Sequence, residues 1–309
     1  VPDKNGQFDD VILGYDSVDS IQTQPGHPGE PVGRNANRIG GAKFTLNGVT
    51  YELAKNSAEV NNLHSGPDYY RDRIWDAEVE ETALGTTITF GLHSPDGDQG
   101  YPGNADITVS YTLTPDNCLK LDYHMVSDAD TIANFTNHVY FNLGGYKSGS
   151  ALDQKVWIDA DYFTATDANS IPTGELVAVK GTPMDFTEMK PIGRDIQEDY
   201  QALKYGNGYD HNWALNHPAG ELSLSAKAED EKTGRTMEVY TDLPGVQFYT
   251  ANSLKTERGK NHAVYTPRCG YCFETQYFPD AINKPEFASP VVKAGEEYKT
   301  TTIYKFGVK

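Results

Sequence analysis

The sequence predicts an all-β protein built from antiparallel strands, closed as a sandwich or a barrel. Three observations carry that prediction. Apolar and polar residues alternate with period two in many short runs, turn-forming residues separate the runs, and no helical pattern of three or more turns interrupts them. The first clear element is a hairpin, Lys43–Leu53, in which Asn47-Gly48 supplies the two left-handed turn positions. Further strands are expected at Thr86–Leu92, Ala105–Leu113, Leu119–Val126 and Lys155–Ile158. Later ones are expected at Glu221–Ala226, Thr236–Thr241, Val246–Thr250, Tyr271–Gln276 and Tyr298–Phe306. Turn words lie between them: Pro95-Asp-Gly97, Pro115-Asp116, Lys232-Thr-Gly234 and Pro279-Asp280. The stretch Asn169–Gln201, with Pro172, Pro183 and Pro191, is the least strand-like and reads as a long excursion packed on the sheets. No linker, repeat or low-complexity tract divides the chain, so residues 1–309 are expected to form one domain.

Composition excludes several functions. Asp plus Glu outnumber Lys plus Arg by 44 to 26, a formal net charge of −18. Such a surface repels phosphate backbones and anionic lipid, which argues against a nucleic-acid or membrane-surface partner. No apolar run reaches the ~18 residues of a transmembrane helix, and Val1-Pro2-Asp3-Lys4 has no signal-peptide character. Three cysteines, Cys118, Cys269 and Cys272, do not make a disulfide framework. Cys269 and Cys272 have C-x-x-C spacing, but in a stretch that reads as strand rather than the start of a helix. No second ligand pair accompanies them, so neither a redox nor a zinc site is expected. The 20 tyrosines suit a sugar site, where aromatic faces cover C–H patches, and suit strands equally well.

Four clusters combine polar residues with glycine or turn residues in a way a plain core does not need. They are Gly33-Arg-Asn-Ala-Asn-Arg-Ile39, Asn61-Asn-Leu-His-Ser-Gly66, Asn134-Phe-Thr-Asn-His-Val-Tyr-Phe-Asn-Leu-Gly144 and Phe273-Glu-Thr-Gln276. The third puts His138 beside three asparagines on an expected strand, and the fourth puts Glu274 inside an apolar one. Gly208-Tyr-Asp-His-Asn-Trp213 and Gly245-Val-Gln-Phe-Tyr249 are weaker companions. Taken alone, they indicate an acid–base pair without assigning it.

Together these words resemble the aldose 1-epimerase family, also called galactose mutarotases. The resemblance rests on Gly33–Ile39, Asn62-Leu-His64, Ser94-Pro-Asp-Gly-Asp-Gln-Gly-Tyr-Pro-Gly103, Asn137-His-Val-Tyr-Phe-Asn-Leu143, Gly208-Tyr-Asp-His211 and Glu274-Thr-Gln-Tyr-Phe-Pro-Asp-Ala281, in the family's order. It implies a large twisted antiparallel β-sandwich that interconverts the α and β anomers of free hexoses such as D-galactose and D-glucose. It places the general base on Glu274, the general acid on His138 and a second active-site histidine on His64. Arg38, Asn37, Asp210 and Gln247 fall on positions that hold sugar hydroxyls. No cofactor and no metal are implied, and the partner is a small monosaccharide. The Ser94–Gly103 word itself reads as a structural turn.

Those residue types fit the chemistry. Anomerisation moves a proton off the C1 hydroxyl and another onto the ring oxygen, after which the ring opens, C1 rotates and the ring recloses. A carboxylate and an imidazolium do this together and exchange roles in reverse. With ordinary values of ~4.3 and ~6.5, both start in the required state just below neutral pH, and burial would raise the carboxyl further. The rival readings are a catalytically silent sugar-binding or regulatory protein of the same fold, a sugar-phosphate epimerase and a glycosidase. The first has no need of the His64, His138 and Glu274 set; the second would want more cations than Arg38. A glycosidase would use two carboxylates about 5–9.5 Å apart, for which Asp210 and Glu274 are the candidates. The family begins with further strands before the segment matching Val1, so the chain is expected to lack the family's first N-terminal strands. A cytoplasmic monomer or homodimer is the remaining expectation.

Overall fold

A computed structural model describes residues 1–309. Strands dominate it; the two α-helices, Val18–Thr23 and Gln201–Gly206, have six residues each. No helix is long and apolar enough to cross a membrane. The larger sheet has nine antiparallel strands. Its spatial order runs from Lys190–Pro191 through Lys155–Ile158, Ser223–Glu229, Arg235–Thr241, Glu297–Val308, Cys118–Ser127, Ala105–Leu113 and Gly85–Ser94 to Asp76–Thr82. A second sheet has five, in the order Pro172–Ala178, Tyr162–Thr166, Asp210–Ala214, Gly245–Tyr249 and Cys272–Gln276.

Alternation decides which side chains meet between the sheets. Ile107, Val109, Leu121, Tyr123, Met237, Val239 and Tyr304 of the larger sheet are buried in one apolar core with Phe163, Trp213, Val246, Phe248 and Phe273 of the smaller. Burying each such side chain stabilises the fold by about 1.5–3 kcal/mol before entropy is counted. Two polar contacts stitch the layers: the Tyr304 hydroxyl donates to the Phe273 carbonyl at 3.0 Å, and Thr275 and Thr302 share a hydroxyl bond at 2.6 Å.

The expected strands are present with small shifts of boundary, and the Asn47-Gly48 hairpin joins Lys43–Leu46 to Val49–Glu52. Beyond two-residue pairings such as Lys190–Pro191, four strands were not legible. Asp76–Thr82 is an edge strand with both faces largely exposed, so its four acidic residues mask any alternation while they guard the edge against further pairing. Tyr162–Thr166 and Asp210–Ala214 have only five residues each, and the second mixes polar with apolar residues on both faces. Pro172–Ala178 is a correction to the excursion expected over Asn169–Gln201. It is an edge strand paired with Tyr162–Thr166, and a proline is tolerated at its first residue. The strand near the cysteines begins at Cys272, because Arg268 adopts a left-handed φ of 68° and leaves Cys269 in the turn before it. Both thiols are free and buried. His138 also lies just past its ladder, since only Thr136–Asn137 pairs as strand.

The Gly33–Ile39 and Ser94–Gly103 words meet in one buried network centred on Arg34, which is wholly inaccessible to solvent. Its guanidinium donates to the carbonyls of Ser94 (3.0 Å), Pro102 (2.8 Å) and Gly103 (2.8 Å), and to the Ser94 hydroxyl at 2.9 Å. Ser94 in turn donates to Asp98, which is paired with Arg73 at 2.6 Å. A side chain at Gly33 would strike the Phe135 ring, 2.3 Å from its Cβ position. The Ser94–Gly103 word is therefore scaffold, as its turn chemistry implies. Arg34→Ala leaves several buried carbonyls without donors and is expected to cost about 3–5 kcal/mol in urea unfolding. A loss below about 1 kcal/mol would show that the network is not needed.

Candidate active site

The site is built on the smaller sheet by the same alternation that builds the core. Along Cys272–Gln276 every residue is buried. Phe273 and Thr275 face the larger sheet, so Cys272, Glu274 and Gln276 point the other way. The neighbouring strands repeat this: Val246 and Phe248 face the core, and Gln247 and Tyr249 turn away. In the next strand His211 and Trp213 turn inward, opposite to Asp210 and Asn212. Register aligns these outward residues in two rows. Asp210 pairs across from Tyr249 and Tyr249 from Cys272; Asn212 lies across from Gln247 and Gln247 from Glu274.

Loops from the first half of the chain cover this polar face. Arg38–Ile39 pairs with Asn62–Leu63, and next to that short ladder Asn37 and His64 lock together. The His64 N–H donates to the Asn37 carbonyl at 2.9 Å, and the Asn37 N–H donates to His64 Nδ1 at 3.0 Å. Both residues hold left-handed φ values, 63° and 53°, a conformation in which Asn and His are enriched. Asp280 fixes Arg38 from the far side: its N–H donates to the Arg38 carbonyl at 2.8 Å, and its carboxylate accepts from the Gly40 N–H at 2.9 Å.

These elements enclose a cavity of about 260 Å³ lined by Asn37, Arg38, His64, His138, Asp210 and Glu274, together with Gly26, His27, Leu63, Tyr140, Tyr249 and Ser253. That size is at the small end for ligand sites. Six of the seven expected site residues line it. Gln247 does not; its amide donates to Asp210 Oδ1 at 2.7 Å, and Gln276 donates to its carbonyl at 3.3 Å. It stands one layer back and orients the Asp210 carboxylate. Tyr140 and Tyr249 lie inside words already singled out, but His27 does not. Its only sequence signal is a histidine framed by Pro25-Gly26 and Pro28-Gly29. A larger hollow of about 860 Å³ lies against Tyr162, Lys180, Asp185 and Arg194, without a buried acid–base pair.

Glu274 Oε1 and His138 Nε2 are 3.5 Å apart, and both side chains are almost wholly buried. Burial pushes the Glu274 carboxyl well above the usual carboxylate range, and the neighbouring Asp210 adds to the effect while Arg38 opposes it. Burial likewise pushes His138 and His64 well below the usual imidazole value, His27 acting in the same direction. Neither charge is favoured alone in this cavity, so Glu274 and His138 are best described as a couple sharing one proton. The expectation that His138 starts as a free imidazolium near its ordinary value is thereby corrected. Ten buried side-chain atoms lack a hydrogen-bond partner in the protein, and Glu274 Oε2 and Arg38 Nε are the two whose residues line this cavity, where a ligand could satisfy them.

Hydrogen bonding fixes which ring nitrogen carries a proton. A backbone N–H can only donate, so His64 Nδ1 is an acceptor and the neutral ring carries its proton on Nε2. Burial pushes the Cys272 thiol well above its usual range, so it keeps its hydrogen, and Sγ lies 3.5 Å from His138 Nδ1. A thiol sulfur can also accept, so His138 rests its Nδ1–H against Sγ and leaves Nε2, 3.5 Å from Glu274 Oε1, for the proton that the couple shares. The ligand atoms of His64, His138 and Glu274 all lie within 4.8 Å of one another, close enough to hold a metal ion. Bound there, an ion would need the Nε2 lone pair that the Asn37 N–H contact denies to His64. The donor set fits a proton-transfer site better than a metal centre.

Comparison with known proteins bears on this geometry. The family described as "Aldose 1-epimerase" matches residues 1–305. The chain belongs to the aldose 1-epimerase family. It is 41% identical to the galactose mutarotase of Bos taurus over 310 residues, covering 100% of this chain and 87% of that protein. It is 40% identical to the human galactose mutarotase with the same coverage. The Escherichia coli aldose 1-epimerase is 34% identical over 99% of this chain and 87% of its own length. Among solved structures, an aldose epimerase homologue from C. elegans superimposes with a TM-score of 0.88 at 26% identity, covering 99% of this chain and 90% of that one. Galactose 1-epimerase from Lactobacillus acidophilus does so at 0.85 and 26% identity, over 97% of this chain and 86% of that one. The chemistry expected of the family, isomerisation by an epimerase, is the chemistry of this chain.

The raised carboxyl also makes a statement about stability. In the unfolded chain Glu274 loses its proton near pH ~4.3, while in the folded protein it holds on to higher pH. Above the unfolded value the folded state binds more protons, so this group's contribution declines as pH rises. Glu274→Gln removes that penalty. Its Tm is expected to exceed the wild-type value at about pH 8 and to converge with it at about pH 4. A gap that instead widens toward acid would contradict a raised Glu274.

Proposed function

We propose that residues 1–309 act as one domain that interconverts the α and β anomers of free hexoses such as D-galactose and D-glucose, with Glu274 as base and His138 as acid. The observation that carries this reading is the buried Glu274–His138 couple, 3.5 Å apart, with Glu274 Oε2 lacking any protein partner. With the sugar in place, Glu274 takes the proton of the C1 hydroxyl while His138 Nε2 delivers one to the ring oxygen. The couple ends with the same single proton on the other member, so no net charge enters or leaves the cavity. The C1–O5 bond opens as the carbonyl forms, C1 turns about C1–C2, and closure on the other face returns both protons.

The remaining residues orient the ring. His64 offers Nε2–H as a fixed donor. Arg38 and Asn37 supply further donors, and Asp210 accepts from a hydroxyl with its carboxylate held by Gln247. Tyr140 and Tyr249, whose ring centroids are 6.2 Å apart, give an apolar surface for sugar C–H groups. A carboxylate kept partly protonated by burial is a better matched base near neutral pH than an exposed one.

Polarimetry of freshly dissolved α-D-glucose and α-D-galactose tests the reading. The protein is expected to accelerate the approach to equilibrium rotation. Glu274→Gln and His138→Asn should each reduce the rate by about 10²–10⁴-fold while the circular dichroism spectrum is unchanged. Near-wild-type turnover in either folded variant would sink the assignment of that residue.

A further inference from the structure

His27 enters the cavity wall beside the two histidines already described. Its ring centroid is 5.3 Å from that of His64 and 5.4 Å from that of His138. The segment carrying it is bolted to His138 by the backbone: the Gly29 N–H donates to the His138 carbonyl at 3.0 Å, and the His138 N–H donates to the Glu30 carbonyl at 3.1 Å. His27 therefore keeps its place relative to the acid whenever the acid is in place.

A carboxylate backs the ring. His27 Nδ1 lies 2.6 Å from Glu30 Oε1, and Glu30 is buried, with its other oxygen 3.3 Å from Arg71 Nε. Arg71 is anchored by donating to the Gly26 carbonyl at 2.9 Å and by stacking over Tyr69 at 4.9 Å. Arg71 Nη1 also approaches His27 Nδ1, at 3.2 Å. One nitrogen cannot donate and accept at once, and the shorter contact to an acceptor-only carboxylate takes the hydrogen. The neutral ring then has its lone pair on Nε2. No protein group bonds that atom, it is not sealed from solvent, and His27 lines the cavity.

The two neighbouring rings thus differ in sense, His64 presenting a donor and His27 an acceptor. An acceptor at His27 is satisfied by a group that can donate, and on a sugar that group is a hydroxyl. We propose that His27 is a further substrate-binding residue that accepts a hydrogen bond from one ring hydroxyl of the aldose, with Glu30 as the positioning residue that makes it an acceptor. The proposal rests on the anomerase reading above. It adds a specificity rule: the enzyme discriminates against sugars in which that one hydroxyl is replaced by a group unable to donate.

The test is polarimetry with D-galactose and its 2-, 3-, 4- and 6-deoxy analogues, using the wild type, His27→Asn, His27→Gln and Glu30→Gln. Asn retains an amide N–H where Nδ1–H meets Glu30 but has nothing at the Nε2 position; Gln carries its amide to that position. For D-galactose, His27→Asn is expected to lose about five- to tenfold in kcat/KM, mostly through KM, with an unchanged Tm. His27→Gln should recover part of the loss, and Glu30→Gln should fall between. One deoxy analogue should show the same five- to tenfold deficit with wild type and no further deficit with His27→Asn, since the bond is already gone. If His27→Asn does not fold, the same comparison with His27→Gln decides, a deficit for that analogue smaller than in wild type being the expected result. Deficits that are equal for every analogue in wild type and variant would overturn the proposal and leave His27 a structural residue. A wild-type protein that accelerates neither D-galactose nor D-glucose would instead overturn the anomerase reading itself.

Discussion

The organisation of the molecule follows from a five-stranded sheet that is covered on both faces. One face is ordinary: Phe163, Trp213, Val246, Phe248 and Phe273 pack against the larger sheet. The pleat then obliges alternate residues to point under the loops, and there the chain carries Asp210, Asn212, Gln247, Glu274 and Gln276. Polar groups removed from water must find partners or be disfavoured by several kcal/mol. Most do so among themselves, as Gln247 with Asp210 and Gln276 with Asn212 and Gln247. Asn212 Nδ2 and Gln276 Oε1 stay unpartnered behind the site, but Glu274 Oε2 and Arg38 Nε are the two unpartnered atoms whose residues line the cavity itself.

The same scarcity of water gives the site its chemistry. A carboxyl and an imidazole that would each ionise freely at the surface are reduced here to a pair sharing a proton. Their rings and tautomers are held by contacts remote from the sugar: a backbone N–H from Asn37 for His64, a thiol for His138 and a carboxylate for His27. Each contact costs little adaptation at the moment of reaction, because the surrounding backbone is itself tied down by Asp280, by Arg34 and by the Gly29–Glu30 pairing with His138.

Arg34 separates scaffold from site. It sits four residues before Arg38 in the same word, yet it turns wholly inward to hold the Ser94–Gly103 turn, while Arg38 faces the cavity. A linear reading sees two arginines in one motif; only burial distinguishes their tasks. The same applies to Gln247, which a motif places with the hydroxyl-binding residues but which stands behind Asp210.

The sequence by itself determined the fold class and most of the larger sheet, because alternation and turn residues are local signals. It flagged Glu274 and His138 as polar residues in words that a core has no use for, and the roles of acid, base and second histidine came from the resemblance of those words to a family. The tertiary structure decided the rest. Asp76–Thr82 and Pro172–Ala178 are edge strands, whose exposed faces carry no apolar pattern to read. The cavity joins Asn37, His64, His138, Asp210 and Glu274 from segments scattered along the chain, and no periodicity measures the distance between them. His27 entered the site without a motif, because its role depends on Glu30 three residues later and on Arg71 from another loop. Burial, which sets the proton balance of Glu274 and His138, is a property of the whole fold and of no single stretch of residues.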